Sequence, residues 1–241
     1  MTIRVLVNGA RGKMGQVTVK AISSDPDFVL AGEADKDDNL AAEIKNKKAD
    51  VVIDFTNADV AFKNAQIIIE AGAHPVIGTT GLRSEQIKTL QDLCKKNQLG
   101  GIIAPNFSLG AILMMKYAKE IANYFPNVEI IEMHHDGKLD SPSGTSIRTA
   151  ELLAPAHRNL EKPSRETLPG ARGANYENIH IHAIRLPGLV AHQQIIFGGL
   201  GETLTIRHDS LDRQCFMPGV CLAAKKVMEL KELVYGLEHL I

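Results

Sequence analysis

The chain has 241 residues, enough for one large domain or two modest ones, and its formal net charge is −1 with the histidines neutral. That balance supplies no basic field to draw nucleic acid and no charged face for a membrane surface, and no apolar run reaches spanning length. The start, "MTIRVLVNG", enters a β-branched stretch without a leader-like apolar core, so a cytoplasmic protein is expected.

Over the first hundred residues short β-branched runs alternate with longer helical patterns, and Gly, Asp, Asn or Pro marks each change of period. The pattern predicts strands at "IRVLVN", "FVLAGEA", "DVVIDFT", "HPVIGTT" and "LGGIIAPN". Helices follow most of them, including one from about Gly12 to Ser23 and one from about Ser84 to Lys96. Short, continuously apolar strands of this kind suit a parallel sheet covered on both faces, a doubly wound α/β arrangement whose ligands bind at the carboxyl ends of the strands.

After "APNFSLG" the sequence predicts a helix over Ala111 to Tyr124, a strand "VEIIEMHH", and a charged loop leading into "SPSGTSIRTAELL". Periodicity is lost from Pro163 to Asn178, which reads as a long, mobile connection. The runs "IHIHAIRL", "HQQIIFG" and "ETLTIRH" then alternate polar and apolar residues, as strands of an antiparallel sheet with one wet face do. A last helix is expected from about Met217 to Glu232, with an apolar stripe able to pack back on the first domain. Cys94, Cys215 and Cys221 fit neither a zinc spacing nor a disulfide framework and read as reduced thiols.

The stretch "VNGARGKMGQ" places Gly9, Gly12 and Gly15 between a strand end and a helix start. Ala10 stands where the usual dinucleotide fingerprint has its first glycine, but the spacing keeps the close backbone approach and the tight helix packing that a pyrophosphate needs. Asp35 follows about twenty residues on, where an acid holds a ribose 2′-hydroxyl; Lys36 with Arg11 and Lys13 could instead hold a 2′-phosphate. "DFTNAD", "GTTG" and "APNF" put Thr, Gly or Asn at further strand ends, and Thr56 with Asp59 also fits a helix capping box.

The densest chemistry lies in "EMHHDGKLDSPSGT", residues 132 to 145. Two histidines end a strand, Lys138 follows, and a Ser-Gly-Thr turn opens a helix. N–H groups of Gly144 and Thr145, with the hydroxyls of Ser143 and Thr145, suit a substrate carboxylate, and a histidine titrating near neutrality suits proton delivery. Taken singly each has a duller role, as core filling, loop charge or helix cap. His180 and His182 share one strand face, but no third ligand stands at a recognisable spacing, and no metal is expected.

Together, "VNGARGKMG", "DFT", "GTTG", "APNFSLG" and above all the H-H-x-x-K-x-D-x-P-S-G-T string resemble the 4-hydroxy-tetrahydrodipicolinate (dihydrodipicolinate) reductase family, over nearly the whole chain. The resemblance implies a Rossmann-type dinucleotide-binding domain from 1–107 and about 216–241. It implies a second, α+β domain from 108–215, for substrate binding and oligomerisation, on a mixed, largely antiparallel sheet. It further implies a cytoplasmic homotetramer that uses NADH and/or NADPH to reduce a small dicarboxylate in lysine and diaminopimelate biosynthesis, with hydride delivered to C4 and water lost. Residue by residue, His134 and Lys138 match the proton donors, and His135, Ser143, Gly144 and Thr145 the substrate contacts. Gly9, Ala10, Arg11, Gly12, Lys13, Met14, Asp35, Lys36, Gly78, Thr79, Thr80, Ala104, Pro105, Asn106 and Phe107 match the cofactor side. Arg11 and Asp212 depart from the family's pattern. The competing readings are another two-domain NAD(P)-dependent dehydrogenase and a non-catalytic NAD(P)-binding sensor.

Overall fold

A computed structural model describes residues 2–125, 127–157 and 165–241. It divides into two compact units, Met1–Leu109 with Arg213–Ile241, and Gly110–Asp212. The first unit opens with β1 (Ile3–Asn8), α1 (Lys13–Ser24), β2 (Phe28–Ala34), α2 (Leu40–Lys47), β3 (Val51–Asp54), α3 (Ala58–Glu70), β4 (His74–Ile77), α4 (Ser84–Asn97) and β5 (Gly101–Ile103). The chain continues through α5 (Leu109–Ala122), β6 (Asn127–His134), α6 (Gly144–Leu153), β7 (Ala174–Tyr176), β8 (Ile179–Arg185), β9 (Ala191–Gly199) and β10 (Glu202–Ser210). It then returns to the first unit with α7 (Met217–Lys226) and β11 (Leu233–Tyr235).

The first sheet is parallel, in the order β11-β5-β4-β3-β1-β2. All four residues of β3 are buried, as expected of a strand covered on both faces. Leu6, Val52, Ile68, Ile69, Ile77 and Leu90 form its core with Cys94, whose thiol burial pushes up to about 12 and so keeps unreactive. Strand order reverses between β1 and β3, which puts the ligand-binding crevice of such a sheet outside the carboxyl ends of those two strands.

The expected final helix stops early. α7 ends at Lys226, a 3₁₀ turn spans Val227–Glu229, and β11 then joins the sheet beside β5. Three residues, "LVY", are too few to show a strand period; the backbone of β5 supplies the partner, with Gly101 N–H donating to Glu232 and Gly236 N–H to Ile103. Within the unit, Lys225 Nζ reaches Asp25 and Asp27 at 3.2 and 2.5 Å and lies 5.1 Å from the centre of the Phe28 ring. Gly219 packs so closely that a Cβ there would lie 2.0 Å from the Phe107 carbonyl oxygen.

The second unit is built on a sheet of order β10-β9-β6-β8-β7, with β6 and β8 parallel and the other pairs antiparallel. Val128, Ile130, Ile179, Ile181, Ile195 and Phe197 alternate onto its buried face. Of the segment expected to be irregular, Pro163 and Ser164 lie outside the described residues. The remainder is more ordered than the lost periodicity suggests: β7 pairs with β8, and the Glu166 carboxylate accepts from the N–H groups of Gly170 and Arg172, both at 2.9 Å. Among the described residues no helix is long and apolar enough to cross a membrane.

Gly219→Ala is expected to destabilise the protein by about 1–3 kcal/mol, because the new methyl meets backbone rather than a yielding side chain. Urea unfolding should show a lower midpoint with unchanged slope.

Candidate functional site

In the first unit the β1–α1 turn is tied to the end of β2. Gly9 and Ala10 donate their N–H groups to the Ala34 carbonyl at 2.9 and 3.1 Å, and Arg11 N–H donates to Asp35 at 3.0 Å. Gly9 has φ +77°, and a Cβ at Gly15 would lie 2.1 Å from the Gly9 carbonyl oxygen, so both positions need glycine. Ala10 is buried and its small side chain fits the packed turn. Gly12 caps α1 without any side-chain hydrogen bond, and the first turn, with Lys13 and Met14, carries no acid. An anion at this helix start meets no competing side-chain acceptor. The hydrogen bonds from the N–H groups of Lys36 and Arg11 hold the Asp35 carboxyl below its ordinary range. Arg11 lies 3.9 Å from Asp37 at the surface.

Behind this turn Asp54, fully buried at the end of β3, gathers the neighbouring loops. Its carboxyl accepts from Asn8 Nδ2 at 2.7 Å, Thr56 Oγ1 at 2.6 Å, Asn64 Nδ2 at 2.9 Å and Thr79 Oγ1 at 3.4 Å. Thr56 is therefore not the cap of α3; Asn57 is, accepting from Asp59 N–H, because the Thr56 hydroxyl is committed to Asp54. Gly78 lies against the Phe55 ring, where a Cβ would come within 2.1 Å of a ring carbon, while Thr80 is exposed beyond it. In the loop after β5, Ala104 is buried, Pro105 is exposed, and the Asn106 side chain accepts from Ser108 N–H at 2.8 Å. Phe107 is buried edge-on against Phe55, with ring centres 5.8 Å apart.

In the second unit His134 is the last residue of β6, paired in parallel register with Arg185 of β8. Its Nδ1 lies 2.5 Å from the Glu132 carboxylate. Arg185 donates to both Glu132 oxygens at 2.9 and 2.7 Å and to the Asp140 carbonyl at 2.8 Å. Burial, opposed by Glu132 and reinforced by Lys138 and Arg185, leaves the His134 imidazole below its ordinary pKa. The turn after β6 closes with Lys138 N–H donating to the His135 carbonyl at 3.2 Å. Lys138 Nζ sits 2.7 Å from both oxygens of Asp140, whose carboxyl this hydrogen bond lowers.

Ser143 takes the helix-cap role that the sequence also offered. Its hydroxyl is buried and caps α6, accepting from Ser146 N–H at 3.2 Å and lying 2.8 Å from Ser146 Oγ. Ser146 and Thr149 continue inward to Gln193 of β9, each at 2.8 Å. Gly144 has open space where a Cβ would stand, and Thr145 is half-buried beside it, so the first turn of α6 is accessible. His180 and His182 stack with centres 6.5 Å apart, and His182 pairs with Glu129 at 2.8 Å. Among the described residues no three His, Cys, Asp or Glu side chains are grouped to hold a metal.

Arg185 was not singled out in the sequence, and Glu132 and Asp140, though inside the stretch 132 to 145, were given no role. One signal was present: in "VEIIEMHH" Glu132 falls on the same side as Val128 and Ile130, so an acid occupies an inward position.

Comparison with known proteins agrees with this arrangement. Residues 3–107 match the family model described as dihydrodipicolinate reductase, N-terminus, and residues 110–241 match the corresponding C-terminus. The 4-hydroxy-tetrahydrodipicolinate reductase of Coxiella burnetii is 54% identical and that of Legionella pneumophila 52%, each with all of both chains covered. A solved dipicolinate-bound dihydrodipicolinate reductase from Paenisporosarcina sp. superimposes with a TM-score of 0.92 at 44% identity, again over all of both chains.

Asp54→Ala strips the acceptor from several buried donors at once and is expected to cost about 2–4 kcal/mol, since each buried group left unpaired costs about 1–3 kcal/mol. Chemical denaturation measures this directly; a loss under about 0.5 kcal/mol would mean that the loops hold their shape without it.

Proposed function

Because the chain belongs to the dihydrodipicolinate reductase family, we propose that His134 and Lys138 carry its proton transfers and that the β1–α1 turn holds its cofactor. The protein is an oxidoreductase: it reduces 4-hydroxy-tetrahydrodipicolinate to tetrahydrodipicolinate, with loss of water, in lysine and diaminopimelate biosynthesis. Its cofactor is NADH or NADPH, which supplies the hydride when bound.

The first unit fits that cofactor. The turn requires glycine at 9 and 15, which leaves bare backbone for a pyrophosphate, and the cap of α1 offers no oxygen of its own to compete. Asp35, kept anionic by two backbone N–H groups, is placed to accept from a ribose hydroxyl, with Arg11 and Lys36 beside it for a 2′-phosphate. Thr79, Thr80 and the 104–107 loop complete the edge, with Phe107 supporting it from below through Phe55.

The observation that carries the catalytic assignment is the single tight turn bearing His134 at one end and Lys138 at the other, followed by the accessible start of α6. Gly144 and Thr145 N–H groups take one substrate carboxylate, with Ser143 shaping the turn from behind and His135 contacting the ring. Lys138 supplies a cation to the dianion and a proton to the reacting heterocycle. The approach of negative charge offsets the push of Lys138 and Arg185 on His134 and raises its protonated fraction when the proton is needed.

A homotetramer fits the second sheet. Its other face carries Ile131, Met133, Ile184 and Ile196 among polar neighbours, and Ile184 is 37% exposed in the single chain, a surface suited to closing against another copy. The thiols of Cys94 and Cys221 fit a reducing compartment such as the cytoplasm.

His134→Gln is expected to lower kcat by about two orders of magnitude or more, the scale of a lost general acid. Lys138→Ala should lower kcat and raise KM as well. Nicotinamide absorbance on enzymatically generated substrate reads both; turnover retained by His134→Gln would remove the assignment of that residue. Sedimentation velocity should show a species of four times the chain mass, shifted to smaller species by Ile196→Arg; a monomeric wild type at micromolar concentration would exclude the tetramer.

A further inference from the structure

Glu132 has no part in the roles assigned above, yet it is fully buried and both its oxygens are occupied. One oxygen accepts from Arg185 Nη2 at 2.7 Å and Ser143 N–H at 3.3 Å; the other accepts from Arg185 Nη1 at 2.9 Å and faces His134 Nδ1 at 2.5 Å. We infer that Glu132, clamped by Arg185, is a positioning residue that keeps a proton on His134 Nδ1 and thereby reserves Nε2 for proton exchange with the substrate. The inference rests on the assignment of His134 as a proton donor.

The geometry follows from the fold. Residues 132 and 134 of one strand lie on the same side, so a carboxylate two residues before the histidine reaches the near nitrogen of the ring and leaves the far one available. An ionised carboxylate only accepts, so the proton shared with Nδ1 belongs to the imidazole. When His134 acts, the Nε2–H bond breaks, its proton goes to the substrate and the electron pair stays on Nε2. The ring becomes neutral with Nδ1–H intact, and solvent later restores the Nε2 proton. With the other tautomer Nε2 would keep its hydrogen in the neutral ring and could not be recharged there.

A purely structural role would need less. Arg185 alone completes a bidentate pair that fastens β6 to β8 and, through the Asp140 carbonyl, holds the catalytic turn. The position left over on Glu132 is the one that meets His134. The charged groups facing that ring are Glu132 from its own strand, Lys138 from the turn and Arg185 from β8; of these Glu132 alone favours the imidazolium.

The test is nitrogen-15 NMR of the histidine rings in the full-length protein, with the His134 signals identified by their absence from His134→Gln. The neutral wild-type ring should carry its proton on Nδ1. In Glu132→Gln the ring should titrate at lower pH, because the group that favours its charged form is gone, and the alkaline limb of kcat/KM, where the donor loses its proton, should move down with it. kcat should fall by about 10-fold or more, as when a carboxylate that fixes the tautomer of a catalytic histidine is removed, and by more than KM rises. A wild-type His134 protonated on Nε2 would overturn the inference, as would a folded Glu132→Gln with unchanged His134 titration and kcat within twofold. If Glu132→Gln fails to fold, the wild-type tautomer decides alone. Turnover retained by His134→Gln would instead remove the underlying assignment, so the two failures are distinguishable.

Discussion

Burying a carboxylate with no exposure is the constraint from which the catalytic half of the molecule is built. Taking such a group out of water costs several kcal/mol unless charge and hydrogen bonds are returned to it. At Glu132 they come from three elements: Arg185 on β8, the N–H of Ser143 at the start of α6, and His134 on β6 itself. Arg185 can reach Glu132 because β6 and β8 run parallel with His134 opposite Arg185. An antiparallel pairing would have placed a different β8 residue there, so the one parallel pair in an otherwise antiparallel sheet has a local chemical reason. Gln193, opposite Glu132 on β9, then anchors α6 through Ser146 and Thr149. The proton-bearing ring and the accessible helix start are therefore referred to one buried charge.

The first unit solves its problem similarly. Asp54 is also fully buried, also at the carboxyl end of a strand, and is also surrounded by donors from loops that follow neighbouring strands. Its partners are neutral amides and hydroxyls rather than a guanidinium, which suits a site where the ligand itself brings the negative charge. A cation fixed beneath the β1–α1 turn would hold the pyrophosphate by charge. In the proposed site the backbone and α1 would hold it by orientation instead, with Arg11, paired with Asp37, and Lys13 and Lys36 at the rim.

The regular parts of this arrangement were readable from the sequence because burial on both faces leaves a continuous apolar run. β1 and β2 appear with the bounds that "IRVLVN" and "FVLAGEA" suggest. What escaped were elements whose determinants are not local. β7 and β11 are three residues each, shorter than any period, and exist because β8 and β5 offer unpaired backbone. The cap of α3 moved from Thr56 to Asn57 because a residue two positions earlier took the threonine hydroxyl. Serine at a helix start serves as ligand contact or cap, and the sequence left both open for Ser143; the cap bonds, with Ser146 and Gln193 behind them, come from the depth of the site. The histidines and Lys138 were legible as a group through their density, whereas the residues that orient them lie on other strands and are scattered along the chain.

The two carboxylates beside the catalytic turn differ in a way that bears on substrate entry. The Glu132–Arg185 pair is enclosed, with the Glu132 side chain fully buried, and removing one partner would strand the other, so it persists whatever binds. The Lys138–Asp140 pair has the same 2.7 Å separation, but the Asp140 side chain is 65% exposed. With its carboxylate side open to water that pair is screened and contributes about 1 kcal/mol, so in the proposed site the carboxylate of a dianionic substrate would take Lys138 from Asp140 at little cost. Asp140 then keeps its backbone role, since Arg185 holds its carbonyl and not its side chain. Until such an exchange Lys138 is held in place on the turn, and after it the ammonium would face the substrate with the frame around Glu132 undisturbed.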